Sequence, residues 1–196
     1  MKFLSLVSVF LTFTLTLGAP HKRQVESAEY ILQLINTIRQ AHGVKTLPWN
    51  VDLEKASLTR AQMCVDGAPT PPNTSSLAYT GASSWKDAIM KVYTYGLSQY
   101  DYNNPDPQSS DLGFILFVVP KYKSVGCAAT SCSGDNVHQC LFDFEGVPYQ
   151  TIDEFINDIK TNVHPPNSTI TLDPTVPTSM KTNFAPPLSY SARFSS

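Results

Sequence analysis

Charge is scarce in this 196-residue chain: Asp, Glu, Lys and Arg make up 15% of it, 16 acids against 14 bases. A formal charge of −2 supplies no field that would draw in nucleic acid or an anionic membrane. Histidine is scarcer still, with His21, His42, His138 and His164 as the whole set. Serines and threonines cluster in loops without a basic partner, so no nucleophile and base are nominated together. No CxxC pair occurs, which weakens the case for a thiolate zinc site. No internal repeat is visible, and no second apolar run follows the first that could hold the chain in a bilayer. What remains is one globular domain, 42% apolar and long enough to bury a core.

The N-terminus reads as an export signal. Met1-Lys2 is a short basic start, Phe3 to Leu17 is an apolar run, and Gly18-Ala19 offers small residues for cleavage. Residues 1–19 are therefore expected to be a signal peptide, and the run is too short for a comfortable membrane span. The dibasic pair Lys22-Arg23 resembles a processing site, which makes 20–23 a short leader and starts the mature chain near Gln24. Export places Cys64, Cys127, Cys132 and Cys140 in an oxidising compartment, where an even set forms disulfides. Spacing leaves all three pairings open. Asn73 and Asn167 begin glycosylation sequons in Pro- and Thr-rich surroundings.

Hydrophobic periodicity predicts a helix over Glu26 to Ala41, with Ile31, Leu34, Ile35, Ile38 and Ala41 on one face. Ser27 is placed to cap it and Gly43 to stop it. A second helix is expected from Val51 to Met63 and a third from Ser84 to Tyr95. Composition marks Asp66 to Ser76 and NNPDPQSSD as loops. Phe114 to Val119 reads as a strand buried on both faces, followed by strands at Lys121 to Ala128 and Val137 to Phe144. Helices followed by strands argue for an α+β domain with an antiparallel sheet. A domain over 24–150 and a C-terminal extension over 151–196 follow. The extension carries a short helix from Ile152 to Ile159 and is partly disordered from Pro165 onward, where Pro, Thr and Ser dominate.

Four stretches in this order resemble the CAP superfamily of cysteine-rich secretory, antigen 5 and pathogenesis-related 1 proteins. They are ILQLINTIRQAHGVKTLPWNVDLEKASLTRAQ, YDYNNP, FILFVVPKYKSVGCA and CLFDFEG, spanning roughly 28 to 148. The resemblance implies a three-layer α-β-α sandwich with a central antiparallel sheet. It also implies the disulfides Cys64–Cys132 and Cys127–Cys140.

Many relatives line a cleft with two His and two Glu that hold a divalent ion, a sound donor set. Here the resemblance puts Gly113 where the strand-borne histidine would stand and Gly96 where the third-helix glutamate would stand. The interval between Cys64 and Trp85 holds no His or Glu. No metal, cofactor or catalytic residue is expected. Binding would instead use the segment before the third apolar stretch, with Tyr100, Tyr102, Asn104, Pro105 and Phe114 around a small apolar ligand such as a sterol or fatty acid. The alternative for these rings is core packing. The functional reading is a secreted, non-enzymatic binding protein whose dibasic leader resembles fungal secretion. It would act on a lipid or, effector-like, on an extracellular protein partner. A divergent secreted hydrolase is the alternative.

Overall fold

Helix α1, Ala28–Ala41, starts where Ser27 Oγ accepts the Tyr30 N–H at 3.2 Å. It stops at His42, after which Gly43 takes φ +74°. Its buried face contains the five apolar residues that its periodicity marked, together with Arg39. Helix α2, Val51–Gln62, is capped by the Asn50 side chain. Helix α3, Trp85–Gln99, is capped by Ser84, and helix α5, Ile152–Asn162, by Thr151. This computed structural model describes residues 26–65, 69–105 and 112–166. The segments expected as signal peptide and dibasic leader, Asn167 and residues 168–196 lie outside the described residues.

Two elements differ from the sequence reading. The apolar run expected as a strand at Phe114 to Val119 is helical, as α4, Leu112–Val118. From Phe114 to Val118 every side chain is buried. A short apolar run without polar alternation has no period with which to choose between helix and buried strand. The helix satisfies its backbone internally while packed against α1 and α3, and it lies outside the three-stranded sheet of the described residues. The second difference is strand β1, Thr74–Thr80, whose first residues fall in the stretch expected as loop. Thr74, Ser75 and Ser76 are buried, so polar composition concealed a strand.

Strands β2, Tyr122–Cys132, and β3, Asp135–Phe144, form an antiparallel hairpin through Ser133 and Gly134, both at positive φ. β1 pairs antiparallel with the other side of β3, giving the order β1-β3-β2. Gly126 faces α2 on one side of the sheet. Alternation turns Val125 and Cys127 to the opposite face, into the core shared with α1, α3 and α4. The layers are therefore α2, then sheet, then the remaining helices. Phe155 and Ile159 of α5 belong to that same core, so the short helix of the sequence reading packs into the domain.

The disulfides are Cys64–Cys132 and Cys127–Cys140, as the resemblance implied. The first joins the end of α2 to the end of β2 across 68 residues; the second crosses directly opposed strand positions 13 residues apart. In the chain-entropy picture these loops contribute about 4 and about 3 kcal/mol.

Candidate functional site

Two regions bring chemistry-bearing side chains together. The first lies between α1, α3 and α4. His42, at the end of α1, is fully buried. Its Nδ1 is 2.6 Å from the His164 carbonyl and its Nε2 is 3.1 Å from the Tyr93 hydroxyl. A carbonyl can only accept, so Nδ1 carries the proton and donates, and Nε2 accepts from Tyr93. The Tyr102 hydroxyl stands 3.4 Å from Nδ1, and the Phe114 ring lies 5.0 Å from the imidazole centroid. Tyr100 packs edge-on against both Tyr102 and Phe114, at 4.6 and 4.9 Å. Of the proposed ligand residues, the rings of Tyr100, Tyr102 and Phe114 thus pack together, and Tyr102 and Phe114 also meet His42. Tyr100, Pro105 and Phe114 are buried, Tyr102 is half-buried and Asn104 is exposed.

Burial pushes the Tyr93 hydroxyl well above its ordinary value and Tyr102 up to about 12, so neither ionises near neutrality. Burial also holds His42 below the ordinary imidazole range, and does the same at His138 on β3. In the unfolded chain both titrate near pH ~6.5. As pH falls the unfolded chain takes up protons first. The stability these imidazoles contribute is therefore complete above about pH 6.5 and lost as pH drops through their folded values. The urea midpoint should fall on acidification from about pH 7 to about pH 5, and a His42→Gln/His138→Gln double variant should flatten that fall. A wild-type midpoint that rises over the same range would contradict the assignment.

Gly96 is buried on α3 and Gly113 is buried on α4, so the two positions expected to correspond to metal ligands carry no side-chain donor. Gly113 stands on a helix, which corrects the strand placement. Both nitrogens of the nearby His42 are already engaged. Among the described residues, no group of three or more His, Cys, Asp or Glu could hold a metal ion. The chain's residues do not fit the divalent ion that the family pattern would imply.

The second region is a groove of about 340 Å³ beside the outer edge of β2. Its floor is the Cys127–Ser131 stretch, with His138 on the neighbouring strand. Glu54 and Leu58 of α2 line one side, while Glu26, Ile31 and Trp85 line the other. Trp49 completes the lining; the Pro48–Asn50 segment pairs with β2 at Val125. Glu26 Oε2 accepts the Trp85 backbone N–H at 2.6 Å, and Glu54 Oε2 accepts the Trp49 indole N–H at 2.8 Å. Each carboxylate is thereby fixed at the groove wall. The His138 ring packs edge-on against Trp85 at 4.8 Å, and its buried Nδ1 has no hydrogen-bond partner.

Sequence reasoning missed this groove. Trp49 lies between the first two helices and Trp85 at the start of the third, 36 residues apart in sequence. Only the sheet order and the cap of α3 bring them to one place.

The comparisons with known proteins agree with this geometry. The family described as CAP: Cysteine-rich secretory protein family matches residues 32–144. The chain belongs to the CAP family. Among solved structures it is similar to a hookworm platelet inhibitor, with TM-score 0.50 and 17% identity over 61% of this chain and 70% of that one. Venom allergen-like protein 4 of Schistosoma mansoni aligns with TM-score 0.51 and 13% identity, over 61% of this chain and 94% of that one. A third, NaASP2 crystallised with Zn2+, gives TM-score 0.50 and 16% identity over 64% and 83%. At these identities the likeness is one of fold. No curated protein sequence matches the chain. Among the described residues, no helix is long and apolar enough to cross a membrane.

Proposed function

We propose that this CAP protein is secreted and acts by binding an extracellular partner, without catalysis, through the groove at the edge of β2. The observation that carries this reading is the convergence there of two tryptophans, two fixed carboxylates and His138 around open space. Apolar walls with a few convergent polar groups are what ligand sites need. Each groove carboxylate accepts an N–H, from the Trp85 backbone or the Trp49 indole, rather than a hydroxyl that it could activate as a nucleophile. The family is generally one of binding proteins. The two disulfides suit an exported chain.

A sterol or fatty acid held by Tyr100, Tyr102 and Phe114 is the other reading of binding. It would have to part rings that now pack at 4.6–4.9 Å, so the groove is preferred. The test is an array of extracellular lipids and peptides probed with three proteins: wild type, Ala129→Trp to fill the groove, and Tyr102→Ala. Binding lost only in Ala129→Trp supports the groove. Binding lost only in Tyr102→Ala moves recognition to the lipid position, and turnover of any arrayed substrate overturns the non-enzymatic reading.

A further inference from the structure

Taking that groove as the binding site, we propose that its occupant is an extended basic peptide that adds as a strand to the outer edge of β2. Among the described residues the sheet order leaves β2 with one strand neighbour, β3. At Val125 the backbone already pairs outward: its N–H reaches the Pro48 carbonyl at 3.2 Å and its carbonyl takes the Asn50 N–H at 2.8 Å. Strand period two then points the N–H and C=O groups of Cys127, Ala129 and Ser131 outward along the same edge. The opposed pair Cys127 and Cys140 is a disulfide with Cα atoms 4.1 Å apart. That short spacing fits a pair without mutual backbone bonds, as outward-pointing groups at Cys127 require.

Edge strands are ordinarily blunted by lysine, proline, a bulge or a covering segment. Here the cover stops at Asn50. The edge that follows reads Cys-Ala-Ala-Thr-Ser, without charge or proline, and Ala129 and Ser131 are exposed. Five residues of strand offer about 16 Å of template, enough for a short peptide. Walls stand on both faces of this edge, α2 on one and the starts of α1 and α3 on the other, so the space is slot-shaped.

Charge selects the occupant. Glu26 and Glu54 line the slot, and among the described residues no Lys or Arg lines it. Alternate side chains of an added strand project to opposite faces, which is where the two carboxylates stand. Lys or Arg at those positions would meet a carboxylate beside a tryptophan, with a cation–π contribution. This mode of recognition takes affinity from backbone bonds and specificity from alternate side-chain sites.

The protein's two tryptophans, Trp49 and Trp85, both line the slot, so intrinsic emission reports occupancy. The full chain is titrated with a decapeptide in which Lys-Arg pairs are separated by Val-Thr pairs, so that each face of the strand carries a base, and with its Glu counterpart. The basic peptide should shift the emission saturably, bind at least tenfold tighter than the acidic one, and protect the amides of Cys127, Ala129 and Ser131 from exchange. Glu54→Gln should weaken it about tenfold. Ala129→Pro removes one outward donor from a position that does not bond to β3, so the fold survives and peptide binding falls at least tenfold. Unchanged thermal stability of this variant separates lost binding from lost folding.

Equal binding of the basic and acidic peptides would overturn the inference. So would binding of free arginine or butylamine, unaffected by Ala129→Pro, which would make the slot a cation pocket. Amides already protected in the free chain would mean that its own N-terminal segment occupies the edge, which also overturns an external partner. If a neutral peptide or a lipid binds and Ala129→Trp abolishes it, the charge inference fails while the binding reading stands.

Discussion

Gly126→Ala is expected to cost about 3 kcal/mol or to prevent folding. A Cβ added at this residue would lie 2.3 Å from the Glu54 N, 2.5 Å from the Asn50 carbonyl oxygen and 2.7 Å from the Leu53 carbonyl carbon. All three are backbone atoms of the first turn of α2, so no rotamer change relieves the overlap. The helix would have to retreat by about 1 Å to restore ordinary contact. Its other end is tied to β2 by Cys64–Cys132, and its middle by the Ser57 hydroxyl donating to the Gly126 carbonyl at 2.8 Å. Retreat therefore becomes a tilt that strips packing from Leu53 and Ala61. Overpacking costs of about 1–3 kcal/mol are usual where side chains can yield; here backbone must. For a domain of this size about 3 kcal/mol corresponds to a melting point lower by roughly 10 °C. Scanning calorimetry of the oxidised protein measures it, and a midpoint within about 2 °C of wild type would refute the close-approach argument.

Arg39→Met should be the other costly change. The guanidinium is fully buried beneath α1. Nε donates to the Lys45 carbonyl at 2.7 Å, and Nη1 donates to the carbonyls of Phe117 and Val119 at 2.8 and 3.1 Å. The last two belong to the end of α4, where carbonyls have no partner within the helix and where positive charge is favoured. Burial lowers the arginine to about 10, so it stays protonated at neutral pH and these bonds are charge-assisted. Methionine matches much of the volume but leaves the two buried carbonyls of Phe117 and Val119 bare, at about 1–3 kcal/mol each before relaxation, and frees the partly buried Lys45 carbonyl. A loss of about 4 kcal/mol in the urea-extrapolated stability is expected, with an unchanged slope. Arg39→Lys should recover less than half, because an ammonium cannot span the fork. A neutral or stabilising Arg39→Met, as some buried ions show when replaced by apolar residues, would mean that water or backbone motion re-satisfies those carbonyls.

These two residues also mark what the sequence could and could not disclose. The face of α1, its Ser27 cap, the helices α2 and α3 and the strands β2 and β3 were legible because period and cap chemistry are local. Arg39 falls among the apolar positions of α1, but nothing local says that its partners lie 78 and 80 residues away. Gly126 reads as part of a cysteine motif, yet its role is the close approach of a helix that only the three-dimensional layering supplies. Helix α4 was misread because an apolar run buried on every side has no period. Strand β1 was missed because buried Thr74, Ser75 and Ser76 look like loop. Tyr100 and Phe114 were identifiable as aromatics near one another; that His42 joins them depends on α1 ending against α3 and α4. The groove was illegible for a further reason: an edge is defined by the strand that is not beside it.

The central claim is that the CAP framework is kept while the metal-binding chemistry is replaced by packing around His42, with recognition left to surfaces of other chemistry. Calorimetric titration of the mature protein with Zn2+ at neutral pH tests it most directly. The account predicts no saturable heat. One-to-one zinc binding tighter than micromolar, abolished by His42→Gln, would contradict it.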